Sequence, residues 1–234
     1  MRISSALTRL RIAGAEALAY ARQATLLHLD VDRQVVPDGV AAGDDVVVLL
    51  HGLFATAGVL RPLRKAIERL ARVHTATFTY RPGPAVLELS DQLAALTSAL
   101  PDDARIHLVG HSLGGVVARA YVHARGDARV VQTVSLASPF AGVPGASALG
   151  FGAARDLDPQ SPLLRRLRMD ARHADVPHLS ILAGADSVVR PPLAHALPQG
   201  GVAVLEDRGH NALLFDEEAA RLIKERIMMR RAAR

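Results

Sequence analysis

A serine flanked by glycines lies where a strand pattern gives way to a helix pattern. The sequence Gly110-His111-Ser112-Leu113-Gly114-Gly115 directly follows the strand pattern Ile106-His107-Leu108-Val109. Glycine lacks a Cβ, so it permits the tight turn and the close approach of strand and helix that raise a serine hydroxyl above the end of a sheet. The N-terminus of the following helix would point toward negative charge that develops beside this hydroxyl. The pattern predicts that Ser112 is a nucleophile for acyl transfer.

A second turn, His51-Gly52-Leu53-Phe54, follows the aliphatic run 46–50. We expect it to expose the backbone N–H of Leu53 toward the point that the N–H of Leu113 faces. Two such donors form an oxyanion hole, and each is worth about 3–4 kcal/mol in the transition state. The simpler alternative is an ordinary strand-to-helix turn that happens to contain His-Gly.

A serine nucleophile needs a base, and the base needs an orienting carboxylate. His210 lies in a short loop between the last strand pattern and the final helix pattern, and Asp186 ends the penultimate strand run 179–185. The chain order serine, acid, histidine is the one expected when the serine lies at a strand-to-helix turn of this kind. Asp207 is the alternative acid, but it is too near His210 along the chain to approach Nδ1 easily. The predicted catalytic triad is therefore Ser112, Asp186 and His210.

Other histidines could be mistaken for functional groups. His51 and His111 flank the key glycines, but only one base is required, so structural roles are expected for both. The cluster His173, Asp175 and His178 has the composition of a metal site. Such clusters in polar loops are more often solvated, and we predict neither a bound metal nor a cofactor.

Alternating strand and helix patterns must position these residues. Strand patterns cover 46–50, 73–80, 105–109, 130–137, 178–183 and 202–205, and helix patterns cover 59–70, 86–100, 113–124 and 212–227. Each connection is long enough for a right-handed crossover between parallel strands. The sequence predicts a mostly parallel, doubly wound α/β sheet of about six strands with helices on both faces.

Two segments depart from this alternation. Residues 1–45 are predicted to be an N-terminal helix, over about Ser4 to Leu27, and a lead-in to a catalytic domain at 46–234. This helix would pack on the domain or rest on a lipid surface, and packing is the more frequent outcome. Residues 139–176 are too long for an ordinary connection and are predicted to form a lid inserted over the site.

Composition narrows the class of protein. The chain has 234 residues, of which 50% are hydrophobic and 22% charged, which is typical of a globular domain and excludes a disordered or fibrous one. There is no cysteine, so thiol chemistry and disulfides are excluded. The net charge of +5 comes largely from arginines near the two ends, without the interleaved aromatics that single-stranded nucleic acids require. We expect no nucleic-acid partner, and contact with an anionic membrane surface stays open.

Targeting signals are weak in this sequence. Arg9 and Arg11 interrupt what would be the apolar region of a signal peptide, and no uncharged apolar stretch is long enough to span a bilayer. We expect a cytoplasmic protein. The sequence does not indicate an oligomeric state.

Between Val46 and Ile227 the chain resembles the α/β-hydrolase superfamily, and within it the bacterial lipases and esterases. The resemblance is carried by the two turns described above, by 135–140 and by 161–164. Phe140 stands where similar lipases have histidine, so this sequence departs from their pattern at that position. The resemblance implies that an acyl chain would lie against Leu53, Phe54, Phe140 and the apolar face of the lid.

These residues together predict hydrolysis of carboxylic esters, with lipid or other acyl esters as small-molecule substrates and an acyl-enzyme on Ser112. The superfamily also contains enzymes with an aspartate nucleophile, against which Ser112 argues. An acyltransferase or a thioesterase would use the same triad. A catalytically silent binding protein on the same fold is the alternative from another class.

Overall fold

The computed structural model describes residues 2–169, 175–198 and 200–232, and a seven-stranded sheet runs through its centre. The strands are β1 (Gln34–Val35), β2 (Asp45–Leu50), β3 (Val73–Phe78), β4 (Arg105–His111), β5 (Val130–Leu136), β6 (His178–Ala183) and β7 (Gly201–Leu205). Their spatial order is β1-β3-β2-β4-β5-β6-β7. Strands β2 to β7 are parallel, and only the short edge strand β1 is antiparallel to its neighbour. The prediction of a mostly parallel sheet is confirmed, with one short strand more than expected.

Helices cover both faces of the sheet, as predicted. They are α1 (Arg2–Leu26), α2 (Arg61–Ile67), α3 (Val86–Ser98), α4 (Leu113–Arg125), α5 (Gly152–Asp156), α6 (Pro162–Met169) and α7 (Glu217–Ala232). The predicted helix 212–227 is divided into a 3-10 turn at Ala212–Phe215 and α7. The division occurs because Asp216 Oδ1 accepts the backbone N–H groups of Glu218 (2.9 Å) and Ala219 (3.0 Å) and so begins a new helix.

The sheet separates two aliphatic cores. Val46, Val48 and Leu50 of β2 face the core beneath α3 and α4, while Val47 and Leu49 face the core beneath α2 and α7. All six residues of β2 are buried, which explains the continuous apolar pattern of 46–50. Because strands β2, β4, β6 and β7 are parallel, their carboxyl ends lie at one edge of the sheet, where the predicted site residues follow them.

The predicted lid segment, 139–176, contains a 3-10 turn at Ala146–Leu149 and the helices α5 and α6, and its residues 170–174 lie outside the described residues. It is tied to the start of α3. The N–H of Gly152 donates to the carbonyl of Gly83 (2.9 Å), and Asp156 Oδ2 accepts the N–H of Val86 (2.7 Å). This segment lies beside the site, and its action as a lid stays a prediction.

The N-terminal segment packs closely on the rest of the chain. Thr56 Oγ1 contacts the carbonyl oxygens of Leu27 and Leu29, each at 3.1 Å, and Asp30 forms a paired contact with Arg61 at 2.7 and 2.8 Å. A Cβ on Gly58 would come within 2.3 Å of the Leu26 carbonyl oxygen, so a glycine is needed for this approach. These contacts join residues 2–45 to the rest of the chain in one body. The predicted boundary of a separate segment at residue 45 stays a prediction. Among the described helices, none is both long and apolar enough to cross a bilayer.

Candidate active site

The turn between β4 and α4 holds Ser112 in an unusual backbone conformation, with φ of 52° and ψ of −120°. Such a conformation costs a non-glycine residue about 1–3 kcal/mol and persists only where the surroundings enforce it. Here the strand and helix enforce it by close approach. A Cβ on Gly110 would lie 2.2 Å from the carbonyl carbon of Gly114, and one on Gly114 would lie 2.3 Å from the Leu50 carbonyl oxygen. The glycines thus allow a contact that fixes the direction of the serine.

Asp186 and His210 are brought together by a buried hydrogen bond. His210 Nδ1 donates to Asp186 Oδ2 at 2.8 Å, and Asp186 Oδ1 accepts the N–H groups of Val188 (2.7 Å) and Val189 (2.8 Å). Burial tends to raise the pKa of Asp186, but the hydrogen bond and charge of His210, with the two N–H groups, outweigh it and lower the pKa. The carboxylate is therefore ionised near neutral pH. Since Nδ1 of His210 donates, its Nε2 is left to accept a proton.

His111 supports the backbone of His210. Its Nε2 donates to the carbonyl oxygen of His210 at 3.1 Å, and the two rings lie 4.9 Å apart. Burial, followed by the neighbouring charge of His210, lowers the pKa of His111 to about 3. His111 thus stays neutral and acts as a structural donor.

His51 fixes the peptide group that carries the N–H of Leu53. Its Nδ1 donates to the carbonyl oxygen of Gly52 at 2.8 Å, and its Nε2 accepts the N–H of Tyr80 at 3.1 Å. Burial lowers the pKa of His51 to about 4, so the ring is neutral near pH 7. The Gly52 carbonyl and the Leu53 N–H belong to one planar peptide, so holding the first sets the direction of the second. A structural role was expected for His51 from the sequence, but its hydrogen-bond partners were not.

Ser112 and His210 line one cavity of about 510 Å³, which is within the usual range for small-molecule sites. Its walls are mostly apolar and come from three parts of the chain. The turn after β2 contributes Leu53 and Phe54. The predicted lid segment contributes Val143, Leu149 and Leu157, and the N-terminal segment contributes Tyr20, Ala24 and Leu27. The contribution of α1 was not foreseen from the sequence.

The two predicted aromatic substrate contacts have different positions. Phe54 lies at the rim, 58% exposed, with its ring 5.9 Å from that of Phe151. Phe140 is fully buried and packs edge-to-face on His178 at 5.5 Å, and it does not line the cavity. After Pro139, which lines the cavity, the chain turns inward and buries the Phe140 ring in the core beneath α4. Acyl contact stays a prediction for both residues, and the cavity lining supports it for Phe54 but not for Phe140.

His178, the last residue of the histidine-rich cluster, does not line this cavity. His178 is buried and interacts through its ring nitrogens with Thr133 (2.7 Å) and Ser135 (3.1 Å), while His173 lies outside the described residues. Burial lowers the pKa of His178, with a further contribution from the charge of Arg119. In the described parts of the chain, no group of three candidate ligands could hold a metal ion.

Comparison with known proteins gives a family and a fold. Residues 46–175, more than half of the chain, match the model of the palmitoyl protein thioesterase family. No curated protein sequence matches the chain.

Three solved structures illustrate the structural similarity. A metagenomic carboxyl esterase has a TM-score of 0.61 at 18% identity, over 86% of this chain and 79% of that one. A lipase from Bacillus licheniformis has a TM-score of 0.60 at 13% identity, over 84% and 96%. A carboxylesterase from the thaumarchaeon Nitrososphaera gargenis has a TM-score of 0.65 at 10% identity, over 86% and 100%. At these identities the likeness shows the fold, and it confirms the α/β-hydrolase architecture.

Proposed function

Because the chain belongs to the palmitoyl protein thioesterase family, we propose that it hydrolyses acyl esters through an acyl-enzyme on Ser112. The observation that carries the proposal is the buried hydrogen bond from His210 to Asp186, at 2.8 Å, beside a cavity that Ser112 also lines. This arrangement supplies an oriented base with a free Nε2 next to a serine on a strained turn. It is the relation that serine acyl transfer requires.

The reaction proceeds in two halves. Ser112 Oγ attacks the acyl carbonyl carbon while His210 Nε2 takes the hydroxyl proton, and Asp186 stabilises the resulting imidazolium. The N–H groups of Leu53 and Leu113 hold the oxyanion. His210 then protonates the leaving oxygen or sulfur, and the same imidazole activates the water that cleaves the acyl-enzyme.

The cavity favours an extended acyl chain. Its walls are mainly aliphatic, and burial of each methylene contributes about 0.8 kcal/mol. We expect kcat/KM on p-nitrophenyl esters to rise from acetate toward palmitate. Placing a large ring in the cavity with Ala24→Trp should move the optimum to shorter chains by several carbons.

Ala21→Trp is the matched control for this measurement. Ala21 is also exposed on α1 but does not line the cavity, so the chain-length profile should be that of the unmodified protein. A profile that peaks at acetate, or an Ala24→Trp variant that still prefers palmitate, would contradict the long-chain assignment.

Acyl thioesters are the second candidate substrates, favoured by the thioesterase family match. The same triad and cavity serve both substrate classes, because only the leaving atom differs. Values of kcat/KM for a palmitoyl thioester and a palmitoyl oxygen ester distinguish them. Acyl transfer to an added alcohol tests the remaining alternative, an acyltransferase.

A lipid surface is the proposed source of substrate. Leu7, Leu10 and Leu18 are 60%, 71% and 53% exposed, and at 3.6 residues per turn they fall within about 80° of the circumference of α1. Arg11 and Arg22 are also exposed and border this stripe. Arginines beside an exposed apolar stripe suit the interface of an anionic membrane. The stripe belongs to the helix that lines the cavity, so docking would bring the site to the lipid.

Because of this stripe, we expect the protein to sediment with vesicles that contain anionic phospholipid. It should sediment less with vesicles made only of zwitterionic lipid. Replacing Leu10 and Leu18 together by serine should lower the bound fraction several-fold, because both apolar contacts are lost. Leu87→Ser on α3, at a residue 50% exposed, serves as the control and should bind as the unmodified protein does. Equal binding by the double variant would exclude this face.

A further inference from the structure

Glu16 of α1 contacts the turn that carries His210. Its Oε1 accepts the backbone N–H of Asn211 at 2.8 Å and the side-chain Nδ2 of that residue at 3.3 Å, and its Oε2 accepts the N–H of Ala212 at 3.0 Å. These N–H groups belong to the first turn of the 3-10 helix after His210, where backbone donors have no partner within the helix. A carboxylate from another helix therefore caps this turn.

The residue before His210 also meets Glu16. A Cβ on Gly209 would lie 2.3 Å from Glu16 Oε2 and 2.7 Å from its Cδ, and the next nearest atom is also in Glu16. Glu16 thus contacts both chain neighbours of the proposed base. Glu16 is the only acidic residue before Asp30, and it lies outside the segment 46–175 that matches the family model.

We propose that Glu16 is a positioning residue that holds the His210 turn in its catalytic geometry. The inference rests on the proposed function, since it concerns the base of that reaction. His111 holds the carbonyl of His210, whereas Glu16 holds the two N–H groups that follow it. Without Glu16, the backbone N–H groups of this turn lose their hydrogen-bond acceptor. The imidazole of His210 is then free to shift. A displacement of about 1 Å at a catalytic group can lower the rate about 100-fold.

The test is a double-mutant cycle between Glu16 and Gly209. Glu16→Ala should lower kcat about 10- to 100-fold and change KM less than threefold, and should slow labelling of Ser112 by a fluorophosphonate in proportion. Gly209→Ala should give the same kinetic signature, because its methyl group displaces the carboxylate. The double variant should be no worse than Glu16→Ala alone, since the only atoms that the new methyl group meets within about 3 Å are then gone.

Asp30→Asn is the control for a loss of helix docking. It weakens the tie between Asp30 and Arg61, which anchors the end of the N-terminal segment without touching the His210 turn. We expect its kcat to be near that of the unmodified protein. If Asp30→Asn reproduced the loss in kcat, or if Glu16→Ala kept full kcat, the positioning role would be wrong.

The melting temperature of each variant separates misfolding from misplacement, and a folded Glu16→Ala protein with low kcat supports the inference. Additive losses in the double variant would contradict the contact between Glu16 and Gly209. Failure of the proposed function itself would look different. In that case the unmodified protein would neither hydrolyse acyl esters nor react with the fluorophosphonate.

Discussion

Ser112→Ala will abolish ester hydrolysis, with a loss in kcat of about 10⁵- to 10⁶-fold, because the reaction then has no nucleophile. The variant should fold normally. It keeps the Cβ and the N–H of residue 112, which donates to the Leu136 carbonyl at 2.8 Å, and loses only the hydroxyl. Hydrolysis of p-nitrophenyl esters and the mass shift after fluorophosphonate treatment measure the loss, and circular dichroism reports the fold.

Ser138→Ala is the matched control for this variant. Ser138 lies close to the same turn, and its hydroxyl is buried without a hydrogen-bond partner among the described residues. Removing this hydroxyl should leave kcat within about twofold, and stability equal or slightly higher, since an unsatisfied buried polar group is destabilising. Residual serine-independent turnover in Ser112→Ala would refute the acyl-enzyme.

Asp186→Asn should lower kcat about 10³- to 10⁴-fold, because the amide forces the wrong tautomer of His210. The N–H groups of Val188 and Val189 both point at Oδ1, so the amide oxygen will occupy that position. Its NH₂ group then faces Nδ1 of His210, which must accept rather than donate. The ring proton moves to Nε2, and that nitrogen can no longer take the proton of Ser112.

The comparison variant for Asp186→Asn is Asp207→Asn, since Asp207 is the other acid considered from the sequence. Asp207 is exposed, and we expect its replacement to leave kcat within about threefold. Rates measured on the same ester at pH 7–8 decide between the two carboxylates. If Asp207→Asn proved the more damaging change, the assignment of the acid would be reversed.

The sequence was sufficient to predict the parallel sheet and to predict that the site residues follow the carboxyl ends of its strands. A strand buried on both faces has a continuous aliphatic pattern, as in 46–50, and its carboxyl end is marked by the glycines that follow. The bond from His210 to Asp186 agrees with the predicted pairing because both residues follow neighbouring strands, β7 and β6, of one parallel sheet. Local pattern and chain order carry this information.

Contacts between distant segments could not be predicted in this way. Glu16 lies 195 residues from Asn211, and nothing in the helical periodicity of α1 indicates which turn its carboxylate meets. The burial of Phe140 could not be foreseen for the same reason. The sequence places it after β5 but does not tell whether the chain then turns toward the cavity or into the core. The 3-10 turn before α7 depends on Asp216, whose capping role the apolar pattern of 212–227 concealed.

The cavity wall formed by residues 20–27 lies far along the sequence from the proposed catalytic triad. The cavity is lined by Tyr20 and Ala24 of α1 and by Leu27 directly after it, all of which precede every strand of the sheet, whereas the proposed triad lies entirely after residue 110. Substitutions in this one short stretch can therefore reshape the acyl site without disturbing the sheet. For directed evolution, residues 20–27 form a compact library target that leaves Glu16 in place, whereas a chain trimmed to residue 46 onward would lose both this wall and the contacts of Glu16 with the His210 turn.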